Sequence, residues 1–228
     1  MFSNWWGLHV IELYNREFPN LPNAGRVALA AWLTWIVVSI VLHELAHGWA
    51  AIRCGDDTPR LMGHMTLDPI KHMGFYSLVA LAVCGLTWGA MPVNVENLRR
   101  RHDDALVALA GPLTNVLLAI LCLAASILSK ILLSGNALDY ATIVLFLGLV
   151  LNSTLAVFNM LPVPPRDGSK VVASFVPVYR SFIYTPGAAV VGLIFVFTMG
   201  GMVIAPVVAW VRVNAAAIER AVLQALGY

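Results

Sequence analysis

Two histidines four residues apart with a glutamate between them are the first residues in this chain that could do chemistry: His43-Glu44-Leu45-Ala46-His47. On a helix, positions i and i+4 share a face, so both imidazoles point the same way. Two neutral imidazoles one turn apart suit a tetrahedral zinc ion, which in a catalytic site takes three protein ligands and leaves one position for water. Glu44 is turned by about 100° from His43. It would flank such an ion rather than bind it, where a carboxylate can take a proton from water. With six histidines in 228 residues and glutamate equally scarce, this pattern arises by chance about 0.003 times.

A third ligand must come from elsewhere. The segment Asn159-Met160-Leu161-Pro162-Val163-Pro164-Pro165-Arg166-Asp167-Gly168 is the best source. Its prolines lack the N–H and clash with the preceding turn, so they end a helix. Irregular backbone at membrane depth survives only where it lines protein or water. Asp167 sits on that segment beside a glycine that permits a sharp turn. Alone it reads as a loop carboxylate or a helix N-cap; beside the histidine pair it is the candidate third ligand. His64, His72 and His102 are rivals without ligand spacing, although the region of His64 and His72 could approach the site.

The elements that must carry these residues are apolar. The chain is 60% hydrophobic and 11% charged, with mean hydropathy +0.80, against about 25% charge in soluble domains. Such a chain cannot coat itself for water, and the lipid bilayer is its solvent. The net charge of +2, without a basic stripe interleaved with aromatics, argues against a nucleic-acid partner. Cys54, Cys84 and Cys122 are scattered and odd in number, with no CxxC; those in apolar runs read as small buried hydrophobes.

Five stretches reach the length of about 20 residues that a spanning helix needs: 27–51, 73–95, 105–129, 140–161 and 187–211. The second carries Gly74, Gly85, Gly89 and Pro92 and follows a run with Gly63 and Pro69. That punctuation predicts a re-entrant or hairpin element over 61–95 rather than a crossing. The expected fold is therefore all-α and polytopic, with about four spanning helices plus that element. Residues 1–26 are expected as an interfacial segment with Trp5 and Trp6 as an aromatic anchor and no cleavable signal peptide. Residues 27–212 form the membrane-embedded domain and 213–228 a tail.

Ligand geometry constrains the topology independently. The histidines lie toward the end of the first span and Asp167 just past the end of the fourth. One metal ion must reach all three, so an even number of crossings separates them. The stretches 105–129 and 140–161 supply two, and 73–95 must enter and return. The side carrying the catalytic loops then holds Arg53, Arg60, Lys71, Arg99, Arg100, Arg101, Arg166, Lys170 and Arg180, nine cations against five on the other side. The positive-inside rule places that side at the cytoplasm.

HExxH together with the Asn159–Gly168 pattern NxxPxPPxDG resembles the site-2 protease family of intramembrane metalloproteases. Gly111-Pro112-Leu113-Thr114-Asn115 matches that family's GPxxN motif, and Leu67–His72 and Met91–Asn94 add similarity, so the resemblance covers about residues 40–170. Asp68 stands where close relatives tend to carry Asn, and the segment after His72 is short. The resemblance implies that His43, His47 and Asp167 hold Zn2+, that Glu44 is the catalytic glutamate, and that Asn159, His72 and Asn115 are candidates for substrate or oxyanion contact. Asn159 and Asn115 can equally be interhelical hydrogen-bonding residues. It makes 27–212 a metalloprotease domain that hydrolyses peptide bonds of membrane-protein substrates in or beside the lipid bilayer. The alternatives are a catalytically inactive zinc-binding membrane protein, which a cleavage assay distinguishes, and a small transporter or channel, which requires solute flux without dependence on zinc.

Overall fold

The computed structural model describes residues 6–100, 102–183, 185 and 187–228; Trp5 of the expected anchor lies outside them. Among the described residues the regular structure is helical throughout: α1 (Trp6–Glu17), α2 (Ala24–Cys54), α3 (Thr58–Leu61), α4 (Pro69–Cys84), α5 (Asp103–Leu132), α6 (Gly135–Asn159), α7 (Asp167–Phe175), α8 (Pro177–Ile183) and α9 (Ala188–Ala225). Helices α2, α5, α6 and the Gly200–Ala225 part of α9 are long and apolar enough to cross a membrane, so the chain is an integral, multi-pass, all-α membrane protein.

The expected behaviour of 61–95 is the observed one. Helix α4 has 16 residues, about 24 Å at 1.5 Å per residue, short of the roughly 30 Å hydrocarbon layer. Gly74 kinks it with φ 72° and ψ 160°, a conformation essentially confined to glycine. After Gly85 the chain returns extended along α4. Ala90 N–H donates to the His72 carbonyl at 2.9 Å; Trp88 N–H donates to Ser77 Oγ at 2.9 Å, and that hydroxyl donates to the Trp88 carbonyl at 2.8 Å. Ile36, Met73 and Leu81 form the buried cluster that seats α4 on α2.

Helix α2 is the hub, packed against α5 and α6. The Trp35 ring packs against Gly148 of α6, where any side chain would keep the helices apart, and its Nε1–H donates to the Val144 carbonyl at 2.9 Å. At the opposite end from the histidine pair, α1 docks through Asn15 Oδ1, which accepts the Gly25 N–H at 2.9 Å, and through Tyr14, Leu21, Ala24, Ala28 and Ile143. Cys122 is buried with Ala119, Leu149, Val211 and Ala215 where α5, α6 and α9 meet, as expected of a small hydrophobe. Cys84 instead is exposed at the end of α4. The boundaries expected after residues 26 and 212 fall inside α2 and α9.

Candidate metal centre

Helix α2 presents His43 and His47 on one face, buried at 7% and 6% exposure. Asp167 comes from the other end of the sequence. Helix α6 stops at Asn159 ahead of the prolines, and the chain turns back so that Asp167 begins α7. Gly168 permits that turn: a Cβ there would collide with the Met160 and Leu161 carbonyls. The outcome is a triangle of donor atoms. His43 Nε2 and His47 Nε2 are 3.0 Å apart, and Asp167 Oδ2 is 3.1 Å from the first and 3.3 Å from the second.

The triangle fits zinc in size and in chemistry. Tetrahedral arms of about 2.0–2.1 Å put neighbouring donors about 3.3 Å apart. Both Nδ1 atoms are committed away from the triangle: His47 Nδ1 lies 2.7 Å from the Val107 carbonyl, which can only accept, and His43 Nδ1 lies 2.6 Å from Asn115 Oδ1. Each Nδ1 therefore carries the proton and each Nε2 a lone pair. Two lone pairs and a carboxylate oxygen converging on one point repel unless a cation sits there. These are also the only His, Cys, Asp and Glu side chains among the described residues that group in this way.

Helix α5 forms the wall behind the site. Gly111 faces both Nε2 atoms so closely that a Cβ would occupy their space. Pro112, inside α5, withholds the N–H that the Ala108 carbonyl would receive, one residue from the Val107 carbonyl that anchors His47. Asn115 is wholly buried. Its Oδ1 faces His43, and its Nδ2 donates to Asn152 Oδ1 at 3.0 Å. Both polar atoms bond inside the protein, the pattern of the interhelical hydrogen-bonding alternative, and the contact is with a proposed ligand.

Glu44 lies outside the triangle, 8% exposed, and receives no hydrogen bond from the described residues. Its carboxylate faces Gly89 of the extended return, where a Cβ would fall 2.6 Å from Oε1. Met65 and Met91 close over Gly48 one turn further along α2. Asn159 is half-buried at the end of α6 and does not join the donor group. His72, 2% exposed, binds the Thr66 carbonyl through Nε2 at 2.6 Å and shapes the α4 loop; His64 stands edge-on to it. His102 stacks on Phe175, tying α5 to α7. Three participants escaped the sequence reading: Asn152, Gly111 as a contact surface, and Gly89. An Asn in the middle of an apolar span was the available signal for Asn152, since polar groups in a bilayer require a partner.

Comparison with known proteins agrees with this geometry. The model of peptidase family M50 matches residues 31–142, a range that contains His43, Glu44, His47 and Asn115 and ends before Asp167. YwhC of Bacillus subtilis, named as a zinc metalloprotease, is 33% identical over 150 residues, covering 62% of this chain and 67% of YwhC. Rip2 of Mycobacterium tuberculosis, similarly named, is 35% identical over 153 residues, and the match spans 54% of its length. MJ0611 of Methanocaldococcus jannaschii, also named as a zinc metalloprotease, is 31% identical over 172 residues, covering 75% of this chain and 80% of MJ0611. No solved structure matches significantly. A histidine pair with its flanking glutamate on one membrane helix, a GPxxN wall beside it, and relatives covered over most of their length together make this chain a member of peptidase family M50, the site-2 protease family.

Proposed function

We propose that this zinc metalloprotease cleaves membrane-protein substrates at the level of the bilayer, near its cytoplasmic face. His43, His47 and Asp167 hold the metal and Glu44 is the general base, within a catalytic domain over about 27–212. The carrying observation is the convergence of two α2 imidazoles and a carboxylate 120 residues away on one point inside a bundle of membrane-spanning helices.

Zinc, when bound, supplies Lewis acidity toward a carbonyl and toward water. The chain's own residues do the rest. Glu44, without a hydrogen bond from the described residues and next to the triangle, takes the proton of the attacking water and passes it to the departing amine. Hydrolysis needs water at membrane depth, and the buried polar residues around the site supply surfaces that water can wet. The extended segment 86–94 supports a strand-addition mode of substrate binding. Its Trp88 and Ala90 amides bond toward α4. In an extended chain alternate residues face opposite edges, so Gly89, Met91 and Val93 present the other edge, with no described partner for their amides, beside Glu44. A substrate helix that unwinds locally can pair there and bring its scissile carbonyl to the metal. Asn159, half-buried at the end of α6 without a described side-chain partner, is the remaining candidate for substrate contact.

Glu44→Gln tests the reading. It keeps the shape of the side chain and loses the base, so the variant should retain zinc at wild-type stoichiometry while cleavage of a co-expressed membrane substrate drops by at least about 100-fold. His43→Ala, His47→Ala and Asp167→Ala should each lose both. Cleavage by Glu44→Gln at the wild-type rate would refute the mechanism.

A further inference from the structure

Behind His43 runs a buried chain of hydrogen bonds whose direction is fixed from its far end. Asn152 of α6 is fully buried. Its neighbour at that end is the Gly148 carbonyl, 2.9 Å from Nδ2. A carbonyl can only accept, so Asn152 must present its NH2 there and its Oδ1 to Asn115. Asn115 must then turn its own NH2 to Asn152, at 3.0 Å, and its Oδ1 to His43 Nδ1, at 2.6 Å. His43 must in turn protonate Nδ1 and leave the Nε2 lone pair toward Asp167 and His47. Without Asn152 either orientation of the Asn115 amide is allowed, and one of them sets an NH2 against the Nδ1–H.

We infer that Asn152 is a positioning residue for the metal centre: through Asn115 it selects the tautomer and ring orientation of His43, two side chains away from any ligand atom. The inference rests on the reading that His43 binds zinc. Partners of metal-bound histidines typically account for about 10- to 100-fold in metal affinity, and here the partner's own orientation depends on a residue from a third helix. Gly148 has two duties in this arrangement, since it both admits Trp35 of α2 and offers the anchoring carbonyl.

The test is a double-mutant cycle on the purified full chain, read as zinc affinity by chelator competition, as the visible spectrum of the cobalt-loaded protein, and as the melting temperature of the metal-free form. Asn152→Leu should weaken zinc by about 10- to 100-fold and shift the cobalt spectrum. Asn115→Asp supplies an acceptor on both oxygens, so it needs no partner to face His43 correctly; in that background Asn152→Leu should change zinc affinity by no more than about twofold. Asn152→Ser, which can bond the Gly148 carbonyl along its own helix but is too short to reach Asn115, should match Leu and covers the case in which Leu fails to fold. An equal loss in both backgrounds, or a loss that tracks only the metal-free melting temperature, would overturn the inference. Loss of the reading itself looks different: His43→Ala would then leave wild-type zinc affinity intact.

Discussion

At the scale of single residues, the site depends as much on a missing side chain as on the ligands. Gly111 lies against both Nε2 atoms, so the α5 backbone is the floor on which the imidazoles rest. Gly111→Ala should push one ring out of the triangle and lower zinc affinity by about 10-fold or more, although alanine is the better helix former and isolated helix stability should rise. Metal content and metal-free melting temperature measured together show the two opposed effects; a variant with undiminished zinc affinity would mean that the rings lie elsewhere. This glycine also shows where sequence reasoning ends. His43, Glu44 and His47 were legible because helix periodicity alone puts them together, and Asp167 because prolines mark a break that only a site tolerates. Gly111 and Asn152 act across helix contacts whose register no spacing within one segment encodes, so the motif was readable while its physical reason was not.

At the scale of elements, the question is what holds the extended return beside Glu44. Its α4 side is tied by Ser77 and the His72 carbonyl, and its far end by Asp56. Asp56 is fully buried just past the end of α2. It accepts from Thr58 N–H and Oγ1–H at 3.1 and 2.5 Å, from Asn94 N–H at 2.8 Å and from Asn97 Nδ2 at 2.9 Å. Burial alone would raise its carboxyl; the four hydrogen bonds outweigh that and hold it below its ordinary 3.8. A carboxyl depressed in the folded state contributes its full stabilisation above the ordinary value. That contribution is lost as pH falls below it, through the still lower folded value. Asp56→Ala deprives Asn94 and Asn97 of their acceptor, and because both residues are otherwise exposed, each hydrogen bond lost costs about 0.5–1.5 kcal/mol. Faster hydrogen exchange across 86–98 at neutral pH, with zinc still bound, is the expected result. The wild type should show the same loosening only in acid, below the ordinary carboxylate value. Unchanged exchange in the variant would mean that Asp56 does not anchor the return. The re-entrant character of this region was visible in its glycines, but the anchor was not, because Asp56 precedes Asn94 and Asn97 by 38 and 41 residues of chain.

At the scale of the whole molecule, the metal centre fixes which ends of the helices lie together, and the charges then choose a side. The loops after α2, before α5 and around α7 and α8 share the face of the donor triangle. The α5–α6 connection and the docked α1 lie at the other end, where Lys130 pairs with Glu219, whose other oxygen accepts from Ser126, and Arg212 with Glu17 at 3.3 Å. Because α4 is too short to cross and α5 and α6 cross once each, Met62 and Ser134 must lie on opposite sides. Both are exposed, so Met62→Cys and Ser134→Cys in a background without Cys54, Cys84 and Cys122 report sidedness directly. With eight cations among the described residues at the metal end against five at the other, a membrane-impermeant maleimide added to intact cells should label Ser134→Cys and leave Met62→Cys untouched until the membrane is opened. The reverse pattern would put the catalytic loops outside and defeat the charge argument while sparing the metal centre. Labelling of both positions from one side would require α4 to cross or α5 not to, and with α6 crossing once either would separate Asp167 from the histidines. That outcome would undo the geometry on which the zinc site, the role of Glu44 and the Asn152 relay all depend.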